Sequence, residues 1–512
     1  MDRRNFVRSA AMFTGASALG VSPQDQTAQQ ITDGAVTLLT VQTKTVARSL
    51  PHFWEECVGS DRAIVAMRAQ WQEDLLRVKN EVGMKSVRFH GLFCDEMGVF
   101  PSGSKAPNFL YVDIVFDAMM ERGIKPFVEL SFMPSALASG PQTVFFYRGN
   151  ISVPKEMKQW AELVRTFAEH LVDRYGIDQV STWNFEVWNE PNLPFFWAGT
   201  QQQYFELYRA SAVALKAVDP NLRVGGPSTA RAAWVGDLLQ FCANEKIPID
   251  FASTHVYSDD PQKIVFGTDV QYPYEEVIPR ALAKVNQEIR ASKFPQLPLY
   301  ITEWSSQNPA FIAHTIKSTI GLADIMSYWT FDNVFEELGI PTSFMNGAFG
   351  LLGMRGLPRP SFHTFELLHR LGDSELASSD GPILATRRRD GSLALLLWNL
   401  IPRPHGQRSA TGDPTQQTAD QFGTQGAGKP FRIRFDGARR GMKATATRVD
   451  SNSGSLARAY QTLGSPPYPT IQQIKNLRAA SLLAQPEHLR LQADGELSLN
   501  IPPNGVVLIE LA

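Results

Sequence analysis

Cysteine is scarce in this chain. Three cysteines occur among 512 residues, and Cys57, Cys94 and Cys242 are widely separated. They lack Cys-x-x-Cys spacing, which argues against a zinc ribbon, and they are too few for a disulfide scaffold. We expect buried free thiols. A single disulfide between Cys57 and Cys94 is the alternative if their strands are adjacent.

An excess of charge of one sign is also absent. The chain has 49 basic and 51 acidic residues, which gives a formal net charge of −2. This balance argues against nucleic acid or an anionic membrane surface as the main partner, but it suits a neutral polymer such as a glycan. The hydrophobic share of 43% is ordinary for a globular protein with a large core.

The apolar run near the N-terminus, Ala10–Val21, is too short to span a bilayer as a stable helix. It follows the pair Arg3-Arg4 and precedes a polar, glutamine-rich stretch. This order is typical of a twin-arginine export signal, which we place in residues 1–30. It predicts a periplasmic or secreted protein with no membrane attachment once the signal is removed. The alternative is a disordered basic start.

From residue 50 onward, strand-like and helix-like segments alternate. We expect eight strands: His52–Val58, Ser86–His90, Lys125–Phe132, Thr182–Trp188, Leu222–Gly226, Ile249–Tyr257, Leu299–Trp304 and Met326–Phe331. Eight strand–helix repeats predict an α/β fold, a (β/α)₈ barrel over residues 50–372. A doubly wound open sheet is the alternative, but residues 59–62 lack the glycine spacing of its phosphate-binding turn.

The pattern changes after residue 372. Short alternating runs are separated by Gly, Pro, Asp and Ser clusters, with no helical segments between them, which predicts an accessory β-sandwich over residues 373–512. A strand within residues 31–49 has no place in the barrel, and we expect it to join this sandwich. The polar segment 403–429 is too long to pack tightly as a loop.

Two predicted strands lead into glutamates. The fourth ends at Asn189-Glu190-Pro191, where Pro191 has no N–H to continue strand pairing, and the seventh presents Glu303. Residues that do chemistry in such barrels lie at the carboxyl ends of strands. In a closed barrel of eight strands, the ends of the fourth and seventh face each other across the mouth.

Two facing carboxylates are suited to breaking a glycosidic bond. One carboxyl protonates the leaving oxygen while the other attacks the anomeric carbon at a separation of about 5–5.5 Å, or activates a water at about 6.5–9.5 Å. Repulsion between Glu190 and Glu303 would keep one of them protonated. No cofactor or metal is needed. Nearby aromatic residues offer flat faces to sugar rings: Trp188, Phe195, Phe196, Trp197, Trp304 and Trp329.

These residues have other interpretations. The mouth glutamates could form a buried ion pair with Arg88. His90 and His255 could be core residues or metal ligands, although the chain has no H-x-H or H-E-x-x-H spacing. Glu129, at the end of the third strand, is expected to orient other residues rather than to react.

Several motifs together resemble glycoside hydrolase family 39 of clan A, which contains β-xylosidases and α-L-iduronidases. They are Val87–Gly91, Val187–Asn192, Ser253–Tyr257, Ile301–Trp304 and Ser327–Asp332. The resemblance covers most of residues 50–372. It departs from the xylosidase pattern at residues 93–96, and Tyr257 stands near the position where iduronidases have a lysine.

The resemblance implies roles for individual residues. Glu190 would be the acid/base and Glu303 the nucleophile of a retaining double displacement, while Asn189 would bind the sugar 2-hydroxyl. His90, His255 and Tyr257 would line the subsite of the non-reducing-end sugar. Glu337, next to Glu336, would bind outer hydroxyls of xylose. A solvated charged pair is the alternative for these last two residues.

The sequence therefore predicts an exo-acting β-D-xylosidase that releases xylose from xylo-oligosaccharides. The same site in another retaining glycosidase is an open alternative: a β-galactosidase, an α-L-arabinosidase, an α-L-iduronidase or an endo-enzyme on exopolysaccharide. A non-catalytic carbohydrate-binding barrel and a metal-dependent barrel hydrolase are the alternatives from other classes. The sequence favours no particular oligomeric state.

Overall fold

The computed structural model describes residues 36–512 apart from 102–103, 105, 333, 346–349, 404–425, 438–441 and 493–494. The predicted export signal and most of the polar segment 403–429 lie outside the described residues. Within the described part of the chain, no helix combines the length and apolar character needed to cross a membrane.

Parallel strands close into a barrel, as predicted. In chain order the eight strands are Val58–Arg62, Ser86–His90, Lys125–Leu130, Asn184–Val187, Arg223–Thr229, Phe251–His255, Leu299–Trp304 and Ile325–Tyr328. The main helices that follow them are Ala69–Val82, Leu110–Glu121, Met157–Tyr175, Gln201–Val218, Val235–Glu245, Val277–Ala291, Pro309–Thr319 and Pro360–His369. The strands are buried almost throughout because helices cover their outer faces.

The first barrel strand is displaced from its predicted position. Residues 52–57 form turns, in which Phe53 and Trp54 are buried and the carbonyl of Phe53 accepts from Met326 N at 3.2 Å. These aromatic residues led to the wrong strand prediction, because they are buried at one end of the barrel and do not pair as a strand. The actual strand is polar, and a Cβ on its Gly59 would lie 2.3 Å from the ring of Trp329. Only glycine allows that close approach.

The accessory domain is a nine-stranded sheet. Its strands are Thr37–Ser49, Ser374–Ser378, Ile383–Arg387, Leu393–Trp398, Lys429–Asp436, Ala444–Val449, Glu487–Leu489, Glu496–Ile501 and Val506–Leu511. The N-terminal strand lies between the strand at 374–378, antiparallel to it, and the strand at 429–436, parallel to it. The predicted fold class, a barrel with an accessory domain that includes an N-terminal strand, is thereby confirmed.

The strand Leu393–Trp398 belongs to two cores. Leu395 and Leu397 pack in the accessory-domain core, whereas Leu396 and Trp398 join the barrel core. This division follows from strand geometry, since successive side chains point to opposite faces. The accessory domain therefore packs on the barrel through one face of its central strands.

The expectation of no helices after residue 372 is wrong. Helices Leu456–Thr462 and Ile471–Ala480 lie between strands of the accessory domain. In the second helix only Leu477 is buried, so the sequence has no clear apolar stripe with helical periodicity. Leu456 and Leu477 pack against Leu357, which follows the eighth barrel strand.

The three cysteines are free and buried, as expected, so the alternative disulfide between Cys57 and Cys94 does not form. Burial raises the pKa of the Cys57 thiol to about 11. The thiols therefore behave as core side chains.

Candidate active site

Two glutamates face each other at the barrel mouth. Glu303 lies in the seventh strand, and Glu190 lies in the loop after the fourth. A carboxylate oxygen of each and Nδ1 of His255 lie within 4.8 Å of one another. Both glutamates are nearly enclosed, with exposures of 4% for Glu190 and 6% for Glu303. This distance between oxygens is shorter than the separation of about 6.5–9.5 Å that inverting glycosidases use to place a water.

The backbone around Glu190 is held in an unusual shape. Trp188 and Glu190 have φ values of 71° and 45°, a region that costs a non-glycine residue about 1–3 kcal/mol. Glu190 N donates to Ser228 O at 2.8 Å. Asn192 and Ala230 exchange two hydrogen bonds of 2.9 Å, from Asn192 Nδ2 to Ala230 O and from Ala230 N to Asn192 Oδ1. These contacts tie the loop of Glu190 to the loop after the fifth strand.

A single buried arginine organises the floor of the site. Arg88 donates from Nη1 to Glu303 Oε1 at 2.9 Å and from Nη2 to Asn189 Oδ1 at 2.9 Å. Its Nε donates to Glu186 at 2.6 Å, and its Nη2 lies 2.7 Å from Glu129. Burial alone would lower the pKa of Arg88, but the three carboxylates outweigh it and raise that pKa. The arginine therefore stays charged and orients both Glu303 and Asn189.

The ion-pair interpretation of Glu303 is thus correct in part, because Glu303 does pair with Arg88. Sequence reasoning did not identify Glu186 as a member of the site. The sequence did contain an indication of this role. Glu186 lies in the middle of an apolar strand, and a charged side chain buried there must have a partner. Thr302 Oγ1 provides a second contact to Glu186, at 2.8 Å.

His255 and Tyr257 connect the two glutamates. Tyr257 Oη donates to Glu303 Oε2 at 3.0 Å. His255 Nδ1 lies 3.1 Å from Glu190 Oε1 and 3.6 Å from Glu303 Oε2. Its other ring nitrogen lies 3.3 Å from Ser228 Oγ. Each oxygen of Glu303 therefore has its own hydrogen-bond donor, from Arg88 on one side and Tyr257 on the other.

His90 lies on the opposite wall. Its Nδ1 is 2.9 Å from Glu129, and its Nε2 is 3.6 Å from Glu337. Burial by itself would lower the pKa of His90, but the charge of Glu129 and the hydrogen bonds to Glu129 and Glu337 raise it to about 10. The ring is therefore an imidazolium at neutral pH, whereas a metal ligand must be neutral. Glu129 has the orienting position expected of it.

The glutamates after the eighth strand are not a solvated pair. Glu336 is buried and accepts hydrogen bonds from Arg62 Nη1 at 3.1 Å and Arg68 Nη1 at 2.7 Å. Glu336 N donates to Asp61 Oδ2 at 2.6 Å. These contacts anchor the loop to the end of the first strand and place Glu337 beside His90.

A short hairpin after the third strand meets this loop. It pairs Thr143–Val144 with Gly149–Asn150, and Phe146 N at its turn donates to Glu337 O at 2.8 Å. The guanidinium of Arg62 lies 4.6 Å from the ring centroid of Tyr147. The hairpin and the Glu337 loop together close one side of the mouth.

The aromatic residues of the mouth divide into two groups. Trp329 lies in the site, with its ring 4.6 Å from that of His90. Trp304 is fully buried and packs on Tyr328 and on Phe365 of the last barrel helix. Because Trp304 follows Glu303 in a strand, it points to the other face. The prediction that Trp304 offers its face to a sugar ring is therefore corrected. Trp188 and Trp197 are also buried, and their rings pack on each other.

A further carboxylate lies beyond Tyr257. Asp260 Oδ2 accepts from Tyr257 N at 2.9 Å, and Asp260 Oδ1 lies 3.7 Å from Arg231 Nε. Burial raises the pKa of Asp260 to about 7, and the charge of Glu190 adds to this effect. Nothing in the sequence pattern marked Asp260, since its loop position is typical of a solvated residue.

The trio of Glu190, His255 and Glu303 has donor atoms of the kind a divalent cation prefers. However, the ring nitrogens of His255 already lie within hydrogen-bond distance of Glu190 and Ser228. Arg88 also brings a positive charge to Glu303. Glu303 and His255 therefore already have partners within the protein.

A closed (β/α)₈ barrel with two glutamates paired at its mouth defines a barrel glycoside hydrolase. Residues 37–497 match the model of the glycosyl hydrolases family 39. The chain is 36% identical to a beta-xylosidase of Geobacillus stearothermophilus over 489 residues, covering 90% of this chain and 92% of that one. It is 35% identical to a beta-xylosidase of Caldicellulosiruptor saccharolyticus over 490 residues, covering 90% and 95%.

A solved structure agrees with these sequence relatives. The crystal structure of a monomeric beta-xylosidase from Caulobacter crescentus CB15 superposes with a TM-score of 0.83 at 33% identity, covering 93% of this chain and 99% of that one. The chain belongs to glycoside hydrolase family 39 and is a glycoside hydrolase, as its motifs predicted.

Proposed function

We propose that this enzyme is a retaining, exo-acting β-D-xylosidase that releases xylose from the non-reducing end of xylo-oligosaccharides. The observation that carries the proposal is the pair of glutamates with oxygens within 4.8 Å. That spacing is near the range of about 5–5.5 Å for direct attack and below that for water-mediated attack. The relatives named beta-xylosidases support the choice of sugar.

In the first step Glu303 attacks the anomeric carbon. Arg88 and Tyr257 each hold one of its oxygens, so the nucleophile is oriented before substrate arrives. Glu190 donates its proton to the glycosidic oxygen as the bond to the leaving group breaks. The products are a free leaving group and a xylosyl ester of Glu303. Asn189, fixed by Arg88, binds the 2-hydroxyl during this step.

In the second step the ester is hydrolysed. The ionised Glu190 takes a proton from water, the water oxygen bonds to the anomeric carbon, and the bond to Glu303 breaks. Two inversions give net retention. His255, 3.1 Å from Glu190, orients the Glu190 carboxyl in both steps.

The subsite for the non-reducing-end xylose lies between His90, Trp329 and Glu337. The imidazolium of His90 can donate to a sugar hydroxyl, and the carboxylate of Glu337 can accept from one. The Phe146–Glu337 hydrogen bond joins two loops over this side of the mouth, which supports cleavage at a chain end. The predicted export signal would place the enzyme in the periplasm or outside the cell.

The test is hydrolysis of nitrophenyl glycosides and xylotriose, with the products followed by anomeric proton NMR. We expect fast cleavage of the β-xyloside, xylose appearing first as the β-anomer, and xylobiose as the other early product of xylotriose. Initial α-xylose would refute retention, and cleavage of long xylan chains at internal bonds would refute exo action. Preference for a galactoside, arabinoside or iduronide would refute the choice of sugar. Activity that a strong chelator abolishes would support metal-dependent hydrolysis instead.

A further inference from the structure

The end of the fifth barrel strand and the loop after it have a strained backbone beside Glu190. Within residues 228–234, the non-glycine residues with positive φ are Ser228 at 55°, Arg231 at 66°, Ala232 at 52° and Trp234 at 58°. Such conformations cost about 1–3 kcal/mol each and persist where surrounding contacts enforce them. Here the enforcing contacts come from the Glu190 loop, through the bonds to Ser228 O and Ala230 described above. These contacts hold the backbone before Arg231 against the loop of the proposed acid/base.

Arg231 and Asp260 form a polar pair at this edge of the mouth. Their side chains are 26% and 16% exposed, and Arg231 Nε lies 3.7 Å from Asp260 Oδ1. This distance is longer than a hydrogen bond. Asp260 lies close enough to Glu190 for the charge of Glu190 to raise its pKa. The pair therefore combines donors and an acceptor that solvent reaches, within electrostatic range of Glu190.

The reaction determines which sugar of the substrate lies beside Arg231 and Asp260. Glu190 must give its proton to the oxygen of the leaving group, so the leaving sugar lies on the Glu190 side of the site. His90 and Glu337 occupy the other side. We propose that Arg231 and Asp260 form the binding subsite for the leaving sugar, where they hold two adjacent hydroxyls. This inference rests on the proposed function.

The pair matches a vicinal diol. The guanidinium can donate to one hydroxyl oxygen, and the carboxylate of Asp260 can accept a hydrogen bond from the neighbouring hydroxyl. A nitrophenyl group in the same place offers neither adjacent hydroxyl. The contribution of Arg231 should therefore depend on the leaving group, whereas a purely structural residue would affect all substrates alike.

The experiment compares kcat/KM for xylobiose and for 4-nitrophenyl β-xyloside. For Arg231→Met we expect a loss of about 10–100-fold on xylobiose, because a hydrogen bond to a charged donor is lost, and a change of less than about threefold on the nitrophenyl substrate. Arg231→Lys should recover part of the loss. Arg280→Met is the matched control, since Arg280 pairs with Glu276 on an exposed helix face.

A second measurement uses the same subsite in reverse. With the nitrophenyl substrate as donor and xylobiose as added acceptor, Arg231→Met should give a lower ratio of transfer to hydrolysis than the native enzyme. Equal losses on both substrates, or no loss on xylobiose, would overturn the inference. Inactivity of the native enzyme on both substrates would instead overturn the proposed function.

Discussion

Replacement of Glu190 by alanine separates the two steps of the proposed mechanism. In the first step the loss of kcat/KM should depend on how much the leaving group needs a proton in order to depart. General acid catalysis is worth about 10²–10⁴-fold, so kcat/KM for xylobiose should fall by at least this range. For 2,4-dinitrophenyl β-xyloside, whose phenolate leaves without a proton, kcat/KM should change by less than about tenfold.

The second step should then limit turnover of the activated substrate. Without a general base, water attacks the xylosyl ester slowly, so kcat and KM should both fall as the ester accumulates. Azide needs no base and is small enough for the space that the Glu190 carboxylate leaves beside Glu303. It should restore kcat and give β-xylosyl azide. The fold should survive, because His255 keeps a second carboxylate, Glu303, 3.6 Å away.

Glu303→Ala is the matched control for this assay. There azide should attack the activated substrate directly and give α-xylosyl azide, since the replaced carboxylate lay on that face. An α product from the Glu190 variant would mean that Glu190 is the nucleophile and Glu303 the acid/base. Equal losses on xylobiose and on the dinitrophenyl substrate would refute Glu190 as the proton donor.

Three further predictions follow from single contacts. Tyr257→Phe removes the 3.0 Å hydrogen bond to Glu303 and should lower kcat by about 10–100-fold, with little change in the melting temperature. Glu337→Gln should lower kcat/KM for nitrophenyl β-xyloside by about tenfold or more, because the amide accepts a hydroxyl hydrogen bond more weakly than the carboxylate does. Asp74→Asn should raise the melting temperature, and by clearly more at pH 8 than at pH 5, as measured by calorimetry.

The sign of the Asp74 effect follows from burial, which raises the pKa of this carboxyl from 3.8 to about 7. The folded protein therefore binds a proton that the unfolded chain has released between pH 3.8 and about 7. Wild-type stability falls as pH rises through this window, and an asparagine has no such cost. An equal rise of the melting temperature at pH 5 and at pH 8 would show that packing, not ionisation, is responsible. Asp173→Asn, at an exposed aspartate of the helix Met157–Tyr175, is the control.

The sequence was sufficient for the barrel and for the two mouth glutamates. A carboxylate after an apolar strand, followed by proline, can be found without knowing its neighbours. The central role of Arg88 could not be found in this way, because its partners come from three other strands. Which partners meet inside a barrel is determined by closure of the sheet, not by local pattern.

Other errors have local causes. The orientation of Trp304 could have been predicted from the alternation of side chains along a strand, since Glu303 and Trp304 cannot both face the mouth. The first strand was predicted at the wrong position for two reasons. Its own residues are polar, and the buried aromatic residues before it, Phe53 and Trp54, have the composition typical of a strand. Asp260 has no sequence signal at all: only the fold brings its carboxylate near Glu190.

The N-terminal strand imposes an order on the folding of this chain. It leaves the ribosome before any part of the barrel, yet Gln42 hydrogen-bonds to Asp436, 394 residues later. Such long-range pairing forms slowly because a very large loop must close first. The barrel can assemble within that loop while the strand waits for its neighbours. We therefore expect the accessory sheet to close last, after the barrel has formed, because it needs strands from both ends of the described residues.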